Sequence, residues 1–84
     1  MLVHLLSEFV GTSILVGTIA KVGKTLWIVA AFAVAVLLTG PISGGHLNPV
    51  VTLWAYLTGK VGAARALHHV IGQVAAALTV AYFV

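Results

Sequence analysis

The chain alternates three long apolar stretches with short segments that contain glycine or polar residues. The long stretches cover residues 2–20, 25–42 and 63–84, and a shorter one covers residues 50–58. A helix rises about 1.5 Å per residue, so about 20 residues are needed to cross a hydrocarbon layer of about 30 Å. The pattern therefore predicts an all-α integral membrane protein with three transmembrane helices. The short stretch cannot span, and its length is typical of a core helix or a re-entrant half-helix.

The segment SGGHLNPVVT, residues 43–52, separates the second long stretch from the short one. Non-helical backbone at membrane depth is tolerated only where it is buried in protein or lines a water-filled cavity. Asn48 is a favoured residue for the N-cap of a helix, and Pro49 suits the first helical position because it has no amide hydrogen to leave unbonded. We therefore expect a loop that enters the membrane partway and a half-helix from Pro49 to about Thr58 that returns. Together they form a re-entrant unit over residues 43–58.

The geometry expected of this loop suits the passage of small neutral molecules. Gly44 and Gly45 can take positive φ and turn the chain so that the carbonyls from Ser43 to His46 point one way. The positive end of the half-helix then lies inside the membrane, and if the Asn48 oxygen caps that helix, its NH2 group can donate to a molecule in the cavity. Such donors and acceptors favour water-like solutes and disfavour protons and cations. The alternative is an Asn-Pro pair that merely caps a helix at the membrane interface.

Composition supports the membrane assignment. Hydrophobic residues make up 62% and charged residues 6% of the 84 residues, whereas soluble domains carry about one-quarter charged residues. The net charge of +3 comes from four Lys and Arg against one acidic residue. That is too few cations for a nucleic-acid surface, and it suits anionic lipid head groups better. The sequence has no cysteine and no nucleophile with a matching base, so we expect neither an enzyme nor a cofactor or metal site.

Two adjacent histidines, His68 and His69, lie near the start of the third long stretch beside Arg65. Adjacent residues on a helix point about 100° apart, which is a poor geometry for binding one metal ion. We expect both histidines to contact lipid head groups at the interface.

The motifs of the chain resemble those of the aquaporin and glycerol-facilitator family, the major intrinsic proteins. SGGHLNPVVT is similar to the family's first signature loop, SG-x-H-x-N-P-A-V-T. SEFVGT, residues 7–12, is similar to AEF-x-GT of the first helix, and GQVAAA, residues 72–77, is similar to AQ-x-x-GA of the third helix. The resemblance covers essentially all 84 residues and implies the amino-terminal half of an inverted-repeat fold.

The resemblance implies roles for particular residues. Asn48 would donate hydrogen bonds to passing water or glycerol where two half-helices meet. Glu8 would brace the loop and help to hold His46, and Gln73 would support packing. A buried carboxylate without partners costs about 3 kcal/mol in a membrane, which also requires partners for Glu8 unless it lies near enough to its helix end to be hydrated.

Three departures from the family pattern affect these expectations. Val50 stands where the signature loop usually has alanine. Ile28 falls at the first-half position of the family's narrow filter, where water-selective members usually carry an aromatic residue, and this argues against a strict water filter. The 84 residues also contain neither a second Asn-Pro-Ala motif nor the arginine that follows it in the family.

A half of this kind needs a second half, supplied by a complementary chain or by an inverted copy of itself. Lys21 and Lys24 lie on one side of the membrane in the predicted topology, and Lys60 and Arg65 lie on the other, so the charge bias that sets orientation is weak. We expect antiparallel pairs in which two Asn48 side chains meet. Small residues suited to helix association are Gly11, Gly17, Ala30, Ala31, Ala33, Ala35, Gly72 and Ala76.

Two functions of different classes remain at this level. The first is a channel subunit for water or small neutral solutes such as glycerol. The second is a non-conducting membrane scaffold that keeps the packing of the family.

Overall fold

The computed structural model describes residues 1–84 and contains four helices. These are α1 (Leu2–Lys21), α2 (Thr25–Ser43), α3 (Pro49–Leu57) and α4 (Ala63–Phe83). Three of them, α1, α2 and α4, are long and apolar enough to cross a membrane. The predicted fold class, three spanning helices and one half-helix, is confirmed. Each helix begins at the expected residue, and each ends one residue away from its expected end.

The long helices alternate in direction along the chain. A turn at Gly23, with φ of 67°, reverses the chain between α1 and α2, and the loop with α3 returns it to the start of α4. As a result α1 and α4 run in the same direction, and α2 runs against them. We call the end of the bundle where α1 and α4 begin the amino-terminal face, and the other end the opposite face. Lys60 and Arg65 lie at the amino-terminal face, and Lys21 and Lys24 lie at the opposite face.

Helices α1 and α4 pack closely because glycine lies at their contact. A Cβ added at Gly72 would overlap the carbonyl oxygen of Leu5 and would come within 3.1 Å of the Phe9 amide nitrogen. Gly11 similarly faces the side chains of Thr39 and Leu47. Small residues of this kind let helix backbones approach in lipid, where the hydrophobic effect does not drive helices together.

This packing corrects one expectation. Four of the small residues expected at contacts between chains are buried inside this chain, namely Gly11, Ala35, Gly72 and Ala76. The remaining ones, Gly17, Ala30, Ala31 and Ala33, are exposed or half-buried and stay candidates for association between chains.

The interior of the bundle is polar, and its exterior is apolar. Buried polar side chains outnumber buried apolar ones, and they are Ser7, Glu8, Thr12, Thr39, Ser43, Thr52, His69 and Gln73. Large apolar side chains such as Leu26, Leu37 and Tyr82 are more than three-quarters exposed. In lipid such exposure carries no penalty, whereas polar groups inside the bundle need hydrogen-bond partners within the protein.

Candidate functional site: the re-entrant loop

The loop begins where α2 ends at two glycines in the left-handed region. Gly44 has φ of 89° and donates its N–H to the Gly40 carbonyl at 3.0 Å, and Gly45 has φ of 62°. Both residues adopt the positive φ expected of them. The carbonyl oxygens of Gly44, Gly45 and His46 accept no hydrogen bond within the chain.

A third residue with positive φ was not expected from the sequence. Leu47 has φ of 56°. This conformation costs a residue with a side chain about 1–3 kcal/mol and persists only where surrounding contacts hold it. The backbone N–H of Leu47 donates to Glu8 Oε1 at 2.8 Å, and its side chain is buried. Glu8 therefore holds the loop in this conformation directly before Asn48.

Asn48 lies at the N-cap of α3, and Pro49 follows at the first helical position. The Asn48 backbone is extended, with φ of −152° and ψ of 129°, and its Oδ1 accepts the N–H of Val50 at 2.8 Å. The side chain is exposed on the surface of this chain. Since the oxygen is used for capping, the NH2 group is left to donate outward.

Glu8 is the centre of a buried network that holds the loop. Its side chain is 0% exposed, so it is not a hydrated carboxylate near a helix end. Oε1 accepts from Leu47 N at 2.8 Å and from Gln73 Nε2 at 2.7 Å, and Oε2 accepts from Ser43 Oγ at 2.7 Å. Because the single Ser43 hydroxyl proton goes to Glu8, Ser7 Oγ at 2.8 Å must be the donor to Ser43.

His46 is held by α3 and not by Glu8 directly. Its Nδ1 lies 2.9 Å from Thr52 Oγ1, and the same hydroxyl accepts from Gln73 Nε2 at 3.0 Å. Gln73 thus connects Glu8 on α1 to Thr52 on α3. Thr52 was not singled out in the sequence, although its position four residues after Asn48 places it one helical turn later.

The position of His69 corrects the expectation of lipid contact. Its side chain is 0% exposed, with Nε2 2.6 Å from the Ser43 carbonyl oxygen and Nδ1 2.7 Å from the Arg65 carbonyl oxygen. The sequence contained a signal for this burial that was missed: His69 precedes Gln73 by four residues, so the two side chains lie on the same face of α4. His68 is half-exposed and only bonds back to the Ala64 carbonyl at 2.7 Å.

Of the remaining site candidates, Ser43 belongs to this network, whereas Val50 and Ile28 lie apart from it. Ser43 is fully buried and its carbonyl is bonded to His69, so that carbonyl is not free for a permeating molecule. Val50 is 71% exposed on the first turn of α3. Ile28 lies in the first turn of α2, about 22 Å along the helix axis from Ser43, and the chain alone does not bring it near Asn48.

A cavity of about 300 Å³ lies on the opposite-face side of Asn48. Its lining comes from the second half of α1, the end of the loop and the middle of α4, and consists of Thr12, Leu15, Val16, Leu47, Asn48, Pro49, Gln73, Val74 and Ala77. Two buried polar atoms of these residues, Thr12 Oγ1 and Gln73 Oε1, have no hydrogen-bond partner in the chain. Buried polar groups without partners are rare in complete folds.

Glu8, His46 and His69 also form a cluster with potential metal-ligand atoms within 4.8 Å of one another. The donor set does not suit a metal ion, because a ligand must offer a free lone pair. Both Glu8 oxygens already accept hydrogen bonds, and both His69 nitrogens face carbonyl oxygens. The cluster is satisfied as a hydrogen-bond network.

These features define a multi-pass membrane protein with a re-entrant half-helix. The model of the major intrinsic protein family matches residues 1–84, and the chain belongs to that family. It is accordingly an integral membrane protein.

Similarity to individual proteins supports the same conclusion. The chain is 41% identical over 83 residues to the glycerol uptake facilitator protein-like 6 of Lactiplantibacillus plantarum, covering 87% of this chain and 38% of that protein. It is 36% identical over 95 residues to the glycerol uptake facilitator protein of Streptococcus pneumoniae strain R6, covering 93% of this chain and 41% of that protein. It is 38% identical over 60 residues to the aquaglyceroporin AqpS of Rhizobium meliloti, covering 71% of this chain and 26% of that protein. The chain thus spans about two-fifths of the first two relatives, and no solved structure matches it.

Proposed function

We propose that this chain forms one half of a channel for water and small neutral solutes such as glycerol. The observation that carries the proposal is the placement of Asn48. Its oxygen caps α3, and its exposed side chain keeps an NH2 group without a partner in the chain at the positive end of the half-helix. Channels of this family are membrane proteins that pass water or glycerol, and they are channels rather than enzymes.

The acceptors that such a path requires lie next to this donor. The carbonyl oxygens of Gly44, Gly45 and His46 accept no hydrogen bond within the chain, so they are available to a solute. A neutral molecule with hydroxyl groups can use both kinds of group, whereas a cation meets the positive end of α3. The names of two relatives and the aliphatic Ile28 support glycerol as a solute beside water.

We also propose that a second, oppositely oriented half completes the pore. The cavity beside Asn48 supports this, because Asn48 and Pro49 at the start of α3 line it together with Thr12 and Gln73, whose Oγ1 and Oε1 atoms have no partner. A half-helix entering from the opposite face would fill the cavity and offer donors to these atoms. Channels of this family are generally oligomeric. The second half is an inverted copy of this chain or a complementary polypeptide.

A substitution at Asn48 that keeps the helix cap tests the solute site. Asn48→Asp retains an N-cap oxygen of equal quality but replaces the NH2 donor with an acceptor. In vesicles containing the purified chain, we expect the rate of osmotic shrinkage to fall by roughly fivefold or more, the factor of one lost hydrogen bond. Circular dichroism checks that helix content is retained. Shrinkage rates equal to those of empty vesicles for the unmodified chain would instead support a non-conducting scaffold.

The orientation of the chain tests the nature of the second half. We expect the inverted-copy arrangement to give both orientations in one membrane, because Lys21 and Lys24 on one face balance Lys60 and Arg65 on the other. Labelling of single cysteines at either terminus in sealed vesicles measures the two populations. A single orientation would contradict the inverted copy and leave a complementary half.

A further inference from the structure

Helix α3 is attached to the rest of the chain at few points. Of its nine residues only Thr52 and Ala55 are buried. Thr52 is also the only residue of α3 whose side chain hydrogen-bonds to another element. The side chains that are more than half exposed are Val50, Leu53, Trp54 and Leu57. The direction in which the first turn of α3 faces therefore depends on a small number of contacts.

The Thr52 hydroxyl meets three groups around Asn48. Its oxygen accepts from Gln73 Nε2 at 3.0 Å, lies 2.9 Å from His46 Nδ1, and lies 3.4 Å from the Asn48 carbonyl oxygen. That carbonyl also accepts the Thr52 N–H at 3.1 Å. The Thr52 residue is 1% exposed, so these groups meet out of contact with solvent or lipid. One side chain thus joins α4, the residue two places before Asn48, and Asn48 itself.

The Gln73 amide that bonds to Thr52 is itself fixed at its NH2 end. Glu8 Oε1 accepts the Leu47 N–H, and it lies 2.7 Å from the same end of Gln73, which must therefore be the donor Nε2. Nε2 carries two hydrogens, and one goes to Glu8 while the other goes to Thr52. Gln73 cannot turn without breaking one of these bonds, so it relates the position of α3 to that of α1.

The direction of the Asn48 NH2 group follows the rotation of α3 about its axis. The Asn48 oxygen is bonded to the N–H of Val50 in the first turn, so its side chain turns with the helix. Thr52 lies four residues later, about one helical turn, and any rotation that moves Asn48 also moves Thr52. A shift of about 1 Å takes a hydroxyl contact of this length out of hydrogen-bond range. The bonds of Thr52 therefore oppose such a rotation.

We propose that Thr52 is a positioning residue whose hydroxyl fixes the rotation of α3 and thereby the direction in which the Asn48 NH2 group donates. Glu8 holds the loop before Asn48 through the Leu47 amide, and Thr52 holds the helix after it. The consequence for permeation rests on the proposed function, whereas the orientation of Asn48 does not.

Solid-state NMR of the chain in lipid bilayers tests the orientation directly. Asn48 is the only asparagine in the sequence, so a 15N-asparagine label reports its side chain without overlap. We expect one narrow side-chain signal in the unmodified chain. In Thr52→Val, which keeps the shape of threonine but has no hydroxyl, the signal should shift or split. Thr52→Ser, which restores a hydroxyl, should restore the original signal.

Thr58→Val is the matched control on the neighbouring turn, because Thr58 Oγ1 bonds only to the carbonyls of Trp54 and Ala55 in α3 itself. It should leave the Asn48 signal unchanged. An unchanged signal in Thr52→Val, or the same change in Thr58→Val, would overturn the proposal. Circular dichroism checks that each variant keeps its helix content.

The unmodified chain gives a second test that needs no variant. Gln73 is the only glutamine in the sequence, and its side chain is 2% exposed. With both hydrogens bonded, to Glu8 and to Thr52, its NH2 group should be rigid and should exchange slowly with deuterated water. A mobile or rapidly exchanging NH2 group would overturn the proposal even if Thr52→Val failed to fold.

Rates of water and glycerol flow across vesicles test the effect on permeation. In Thr52→Val we expect the glycerol rate to fall by roughly fivefold, the equilibrium factor of one hydrogen bond, and the water rate to fall less. A loss of intact channels would lower both rates by the same factor, whereas a misdirected donor affects glycerol more, because its linked hydroxyls must meet the Asn48 donor and the loop carbonyls together. Equal losses would overturn the positioning assignment. Vesicles of the unmodified chain that pass neither solute would contradict the proposed function, while the NMR signals would still decide the role of Thr52.

Discussion

The buried polar groups that hold the re-entrant loop around Glu8 and Ser43 are hydrogen-bonded to one another, whereas two buried polar atoms that line the cavity on the opposite side of Asn48 are not. Glu8 accepts three hydrogen bonds and Ser43 is bonded through both its hydroxyl and its carbonyl. Across the cavity, Thr12 Oγ1 and Gln73 Oε1 have no partner. Gln73 belongs to both regions, since its NH2 end is bonded on one side and its oxygen is unpaired on the other. The comparison indicates that the loop network is complete within the chain, whereas the cavity leaves two polar atoms available to the second half that we propose.

The largest expected effect comes from removing the centre of the completed region. Glu8→Ala leaves the Leu47 amide, the Gln73 amide and the Ser43 hydroxyl without their acceptor. Hydrogen bonds to a charged group contribute about 1.5–3 kcal/mol each, so we expect the free energy of unfolding to fall by about 4 kcal/mol. Unfolding by a denaturing detergent measures it, with the lipid-exposed Val10→Ala as control. Equal stability of the two variants would show that the network contributes nothing.

The second-largest loss of stability is expected at the contact between α1 and α4, which supports both the loop network and the cavity. Gly72→Ala places a methyl group against the Leu5 carbonyl and forces α1 and α4 apart, at a cost of about 2 kcal/mol. Gly17→Ala is the matched control, because no atom lies within 4 Å of the added Cβ. We expect that control to be neutral or stabilising by up to about 1 kcal/mol through helix propensity. A similar loss in both variants would exclude packing as the cause.

How far this comparison could be predicted from sequence differs between its two regions. Helix number follows from apolar length, and the Asn48-Pro49 pair follows from capping chemistry, so both were predictable. The left-handed backbone at Leu47 was not, because leucine carries no local preference for it and the conformation depends on Glu8, 39 positions earlier. The burial of His69 was missed although the sequence contained the signal for it, namely the spacing of four residues between His69 and Gln73. Two adjacent histidines at a helix start resemble an interfacial pair until the shared face with Gln73 is considered.

A smaller effect is expected within the completed region. Ser7→Ala removes one neutral donor to Ser43, while Ser43 keeps its own bond to Glu8. We expect a loss of about 1 kcal/mol and little change in the NMR signals of the loop. A loss as large as that of Glu8→Ala would mean that Ser7, and not the carboxylate, organises the network.

The smallest expected effect is a gain in stability, and it concerns the cavity, where Thr12 Oγ1 has no partner. Thr12→Val replaces an unpaired buried hydroxyl by a methyl group of similar size, which should stabilise the isolated chain by up to about 1 kcal/mol. If a second half supplies a partner to Thr12, the same substitution should weaken association between halves. Crosslinking yields in vesicles measure association, and unfolding in detergent measures the chain alone. Destabilisation of the chain alone would contradict the unpaired state of this hydroxyl.

The position of Glu8 in the first helix has a consequence for the biogenesis of the protein. Its hydrogen-bond donors lie 35, 39 and 65 positions later in the chain, so α1 emerges from the ribosome long before any of them exists. A lone carboxylate in a nascent span carries an insertion penalty of about 3 kcal/mol. The Glu8 carboxylate therefore gains its full set of donors only after α4 has been synthesised, because Gln73 is the last of them in the chain.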